Sequence, residues 1–153
     1  MIDDVSLKIL KILQKKARIP NVEVARQVGM APSAVLERIR KLEKQGFIDG
    51  YEVRLNPRRF AKSLVAFVKV KLEKLDEQDK VGEVLARIPE VQEVHYVAGE
   101  DAFLVKIRAA DTEALGHLTR EKIACIAAVQ STQTAIALST YKETARIPID
   151  KIG

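Results

Sequence analysis

Apolar residues recur at helical spacing from the start of the chain. Val5, Ile9, Ile12 and Leu13 lie within VSLKILKILQKK with lysines between them, which predicts an amphipathic first helix. Asp3 or Asp4 can cap it, because a carboxylate meets the positive end of the helix dipole there. Pro20 closes this segment, and Asn21 is a suitable N-cap for a short second helix, VEVARQV. Gly29 marks a turn, and Pro32 opens a third helix running to Gln45, with Val35, Ile39 and Leu42 inward and Gly46 as the stop. FIDGYEVRLNP then alternates in part around Asp49-Gly50, the pattern of two short strands forming a wing.

The second half has a different rhythm. Ser63–Leu72 alternates, with Leu64, Ala66, Val68, Val70 and Leu72 on one face and Val65 and Phe67 on the other. Val81, Val84, Leu85 and Ile88 predict a helix ended by Pro89. VQEVHYVA and AFLVKIRA read as strands joined through Gly99-Glu100-Asp101. Asp111 caps a helix containing Leu115, Leu118 and Ile123, and VQSTQTAIAL is a closing strand. The order is β-α-β-β-α-β, a ferredoxin-like domain with helices on one sheet face. Its other face carries apolar residues that call for a second copy of the chain. The expected fold is therefore α+β: a winged helix-turn-helix over residues 1–60, then an oligomerisation and sensing domain over 61–153, with the pattern broken at NPRRFAKS.

Ala25, Gly29 and Val35 give the first half its meaning. Two steeply crossing helices need a small residue at closest approach, a turn residue that accepts positive φ, and an apolar anchor. Charge agrees with this. Residues 1–62 hold 14 Lys/Arg against 7 Asp/Glu, whereas the rest holds 12 against 14, so the polyanion-facing part is the first. On a helical wheel Ser33, Glu37, Arg40, Lys41 and Lys44 oppose the buried stripe, with Ala34 and Arg38 flanking it. Base readout is expected mainly from Ser33, Ala34, Glu37, Arg38 and Lys41, near the start of the helix. Lys44, Arg54, Arg58 and Arg59 are expected to meet phosphates of double-stranded DNA.

Other chemistry is sparse. His95 and His117 lie far apart and outside any metal-ligand spacing, and no phosphate loop, dinucleotide fingerprint or nucleophile elbow occurs, so neither an enzyme nor a cofactor is expected. The single cysteine, Cys125, suits a reducing cytoplasm and is expected to be a small buried hydrophobe. No membrane partner is expected, since no apolar run is long enough to span a bilayer and MIDDVSLKIL lacks the pattern of a secretory signal.

Arg18-Ile19, Ala25, Val28-Gly29-Met30, the Pro32–Leu42 helix and Gly46-Phe47-Ile48-Asp49-Gly50-Tyr51 resemble the Lrp/AsnC, or feast/famine, regulators. Val97-Ala98-Gly99-Glu100-Asp101-Ala102-Phe103-Leu104 and Thr132-Gln133-Thr134-Ala135-Ile136 resemble that family's regulatory domain. The resemblance implies homodimers built through the sheets, often assembled into octamers, that bind promoter DNA and respond to an amino acid or related metabolite. Four positions depart from the usual pattern: Ala31 at the helix cap, Glu37 at a commonly basic position, Ala102 at a common Asp, and Ile126-Ala127-Ala128 for a Pro-Gly turn. In the implied sensing site Gly99 offers backbone N–H groups to a carboxylate, Glu100 and Asp101 face an ammonium group, and Thr132 and Thr134 offer hydroxyls. Two alternatives stay open: an architectural DNA-binding protein without an effector, and a metabolite-binding module acting on an enzyme.

Overall fold

The computed structural model describes residues 2–149 and divides into two compact units. One takes the chain up to Arg54 together with the segment from Glu143; the other is Leu55–Lys142. The hydrophobic pattern places the junction after residue 60 and assigns the whole C-terminal segment to the second half. Hydrogen bonds explain the difference: Gln14 Nε2 donates to the Ile147 carbonyl at 2.8 Å, and Arg146 Nη2 donates to the Lys15 carbonyl at 3.2 Å. Ile149 packs on the first unit's core. Such pairings leave no periodic mark in the sequence.

In the first unit α1 (Asp4–Lys15), α2 (Asn21–Val28) and α3 (Pro32–Lys44) surround a core that includes Ile9, Leu13, Val24, Ala25, Val35, Ile39 and Leu42. Asp3 caps α1, its Oδ1 accepting the Ser6 N–H at 2.8 Å. Asn21 is not the cap of α2: it is the first helical residue, and Pro20 takes the N-cap position without a side-chain bond. Proline's fixed φ already supplies the extended entry that a cap residue needs. Ala31 likewise caps α3 with no side-chain bond. Gly29 (φ 71°) turns the chain between α2 and α3 in the left-handed region, where a Cβ would be strained. Gly46 (φ 73°) ends α3; its N–H donates to the Glu43 carbonyl and the Phe47 N–H to the Leu42 carbonyl, which satisfies two terminal acceptors.

The expected wing hairpin does not form. Residues 47–56 carry no strand pairing, and Gly50 lacks the positive φ of a tight hairpin turn. Val53 is 84% exposed and Leu55 60% exposed, so the alternation there finds no surface to bury against.

The second unit is a four-stranded antiparallel sheet of order β2-β3-β1-β4, built from β1 (Leu64–Leu72), β2 (Val91–Val97), β3 (Ala102–Ala109) and β4 (Val129–Ile136). Helices α4 (Gln78–Ala86) and α5 (Thr112–Leu118) supply Val81, Leu85, Leu115 and Leu118 to the core on one face, against Ala66, Val68, Val70, Val105 and Ile107. Asp111 Oδ1 accepts the Ala114 N–H at 2.8 Å and caps α5, which continues as a π-helical turn, Thr119–Ile123. The split β-α-β arrangement is the expected one.

Burial departs from the pattern at two residues. Val84 is 43% exposed rather than buried, because α4 is short and its inward arc is filled by Val81 and Leu85. Cys125 is exposed, with its thiol donating to the Glu121 carbonyl at 2.7 Å, since it follows the π turn on the outer side. The open sheet face is mixed: register places Val65, Phe67 and Leu104 beside Lys69, Lys71, Lys106 and Arg108. Among the described residues no helix is long and apolar enough to cross a membrane.

Candidate nucleic-acid interface and effector loop

Helix α3 has the periodicity of a surface helix held by one stripe. With Val35, Ile39 and Leu42 inward, Ser33, Glu37, Arg40, Lys41 and Lys44 are exposed and Ala34 is half-buried. No acidic residue lies in its first turn, and Lys41 and Lys44 occupy its last. The chain beyond α3 is tied back to it by Tyr51, whose hydroxyl donates to Glu43 Oε1 at 2.9 Å. Burial, with the bond to Glu43 adding to it, pushes the Tyr51 phenol up to about 12.

Arg38 differs from its neighbours. It is half-buried, and Nη1 donates to Asp3 Oδ2 at 2.5 Å and to Ser6 Oγ at 3.0 Å. The bonds from Ser6 and Arg38 hold the Asp3 carboxyl well below the usual carboxylate range. The sequence had assigned this guanidinium to a base edge; the structure commits it to the start of α1. Periodicity marks Arg38 as a flank position but cannot reveal a partner 35 residues away. Arg54 is exposed at the end of the first unit. Arg58 and Arg59 belong to the second, in a 3-10 turn (Pro57–Phe60) whose start is capped by Asn56 Oδ1 accepting the Arg58 N–H at 3.1 Å. Both are exposed.

The β2–β3 connection, Ala98–Asp101, is the second candidate site. Gly99 (φ 100°) and Asp101 (φ 49°) both sit in the left-handed region, so the loop is sharply folded. No atom lies within 4 Å of where a Gly99 Cβ would stand, so the glycine serves backbone conformation rather than close packing. The loop borders a shallow depression of about 500 Å³ lined also by Lys69, Lys71, Leu72 and Leu75. Glu100 is ion-paired with Lys69, which holds its carboxyl below the ordinary value. The Tyr96 phenol is raised by burial first and by the nearby Asp101 charge second.

Two corrections follow for the sensing site. Glu100 is already ion-paired with Lys69 within the chain, so it is not an unengaged counter-ion for an ammonium group. Thr132 and Thr134 do not join the loop: they pair with Val70 and Val68 in register and share their face, opposite to Lys69 and Lys71. The lysines were not singled out in the sequence. The alternation of β1, which sets Lys69 and Lys71 on the Val65–Phe67 face, is the signal that would have found them.

A helix-turn-helix followed by a split β-α-β unit is the build of a DNA-binding transcriptional regulator. Residues 2–49 match the winged helix-turn-helix DNA-binding family, and residues 65–147 match the Lrp/AsnC ligand binding domain family. The leucine-responsive regulatory protein of Escherichia coli K12 is 36% identical over 150 residues, covering 97% of this chain and 92% of that one. The structure of Escherichia coli AsnC superposes with a TM-score of 0.88 at 27% identity, over 97% of this chain and 99% of that one. A transcriptional regulator of Neisseria meningitidis in complex with L-methionine gives 0.91 at 28%, over 97% of each chain. The chain belongs to the Lrp/AsnC family of transcription regulators.

Proposed function

We propose that the protein is a cytoplasmic, sequence-specific regulator that lays α3 in the major groove of duplex DNA as a homodimer, and whose DNA affinity or assembly changes when an amino acid binds beside the Gly99 loop. The observation that carries the DNA part is the exposed face of α3, where Ser33, Glu37 and Lys41 lie within three turns on a helix whose opposite side is locked in the core. Arg40, Lys44, Arg54, Arg58 and Arg59 contribute phosphate contacts in this reading, which set affinity and salt dependence rather than base preference. Pairing through the open sheet face is supported by the exposure of Phe67 and Val97 on it, and it would present two recognition helices to related half-sites. Assembly beyond the dimer rests on the family alone.

The amino-acid part is supported by two relatives solved with L-methionine, from Neisseria meningitidis and Mycobacterium tuberculosis. Here the backbone around Gly99 and the Lys71 ammonium are suited to a carboxylate. Thr132 and Thr134, on the opposite face, can join such a site only from a second copy of the chain. Calorimetric titration of the twenty amino acids, with and without a duplex selected from a random library, tests this reading. An amino acid that binds and shifts duplex affinity supports it. Duplex selection with no amino acid bound leaves an architectural DNA-binding protein.

A further inference from the structure

The Asp3 carboxylate serves two helices with its two oxygens. Oδ1 accepts the Ser6 N–H at 2.8 Å and closes the start of α1, while Oδ2 receives the Arg38 guanidinium, from the middle of α3, at 2.5 Å. The same guanidinium nitrogen donates to Ser6 Oγ at 3.0 Å. Ser6 is the single polar residue among the described buried ones, at 7% exposure, so its hydroxyl is costly to leave without a partner. Charge-assisted bonds of this kind are short and directional, and this pair fixes the start of α1 against the second turn of α3. The apolar contacts of α3 run along one stripe, Val35, Ile39 and Leu42, which seats the helix but, being non-directional, leaves its fine rotation to polar contacts. Arg38, flanking the stripe, is the polar contact that fixes that rotation.

We propose that Arg38 is a positioning residue for DNA recognition: held by Asp3 and Ser6, it sets the rotation of α3 that aims Ser33, Glu37 and Lys41 at base edges, and it reads no base itself. The proposal rests on the DNA-binding reading above. A carboxylate placed beside a groove-facing helix would otherwise repel phosphate. Here that charge is neutralised by the guanidinium, so the Asp3–Arg38 pair acts as one neutral strut. Base contacts are sensitive to ångström-scale placement, and a small roll of α3 degrades all of them together rather than one.

The test uses the full chain and the duplex that the wild type enriches from a random-sequence library. Asp3→Asn keeps an oxygen for the Ser6 N–H and removes the charge that holds Arg38; Arg38→Gln removes the guanidinium. Each single variant is expected to weaken the selected duplex roughly tenfold, about the worth of one base contact. The double variant is expected to be no weaker than either single one, and preference is expected to fall at every contacted base pair together. Arg38→Lys, which keeps a charge for Asp3, recovers part of the affinity. Active-site titration well below the melting temperature separates this from loss of folded protein, which lowers the active fraction without altering base preference. If Arg38→Gln relaxes a single base pair while Asp3→Asn changes nothing, or if the two losses multiply, the proposal is overturned. A wild type that enriches no sequence overturns the DNA-recognition reading and this proposal with it.

Discussion

Gln14 and Ile147 exchange two hydrogen bonds across 133 residues of chain: the Gln14 amide donates to the Ile147 carbonyl at 2.8 Å, and the Ile147 N–H donates to Gln14 Oε1 at 2.9 Å. A side-chain amide thus pairs with a peptide unit as a neighbouring strand would. The helix-turn-helix unit is therefore completed by a segment from the far end of the chain. Gln14→Ala is expected to cost the first unit roughly 1 kcal/mol, the net worth of a hydrogen-bonded pair at the surface, and truncation after Lys142 is expected to cost more because Ile149 leaves the core as well. Urea unfolding followed by hydrogen exchange of α1 amides checks both.

Tyr51 gives an alkaline signature. Its raised pKa, about 12, means that the fold favours the neutral phenol. The stabilisation is fully present below the ordinary tyrosine value and is lost as pH rises through the folded one. Absorbance titration is expected to show a late-ionising tyrosine that disappears in Tyr51→Phe, and Glu43→Gln is expected to lower its midpoint.

Glu100 gives an acidic one. Its pKa is lowered because Lys69 stabilises the carboxylate, so the contribution is present above the ordinary glutamate value and lost as pH falls through the lowered one. The pair is exposed, and salt weakens it. Carboxyl-carbon NMR titration is expected to place Glu100 below its ordinary 4.5. Lys69→Met is expected to bring it back up.

The second unit's core predicts a large effect from a small change. Ile107 is fully buried among strand and helix residues, so Ile107→Ala is expected to destabilise by about 2–5 kcal/mol through lost burial and the cavity left behind. Thermal unfolding checks it, and the first unit's hydrogen-exchange protection is the internal control.

What could be read from the sequence followed the reach of each signal. Helix spacing gave α1 and α3 and the inward residues Val35, Ile39 and Leu42, because a helix repeats its environment every three or four residues. Alternation gave β1, and residue types and turn positions gave the other three strands. What failed depends on partners through space. Arg38 looks like its exposed neighbours until Asp3 is brought beside it, and the Glu100 charge looks available until Lys69 arrives from β1. Thr132 and Thr134 were grouped with the loop by family likeness, whereas strand register decides the face. The wing segment alternates in part but lacks a surface to bury against, so pattern alone could not make it a hairpin.

The central claim, sequence-specific DNA recognition through α3, is tested most directly by fluorescence anisotropy on the selected duplex and a scrambled one across a salt series. The wild type is expected to prefer the selected duplex, with affinity for both falling linearly in log salt. Lys41→Ala is expected to cost about 1–3 kcal/mol on the selected duplex and much less on the scrambled one, whereas Arg59→Ala weakens both about equally and flattens the salt slope. Equal wild-type affinity for the two duplexes, or equal losses from Lys41→Ala on both, would contradict recognition through this helix.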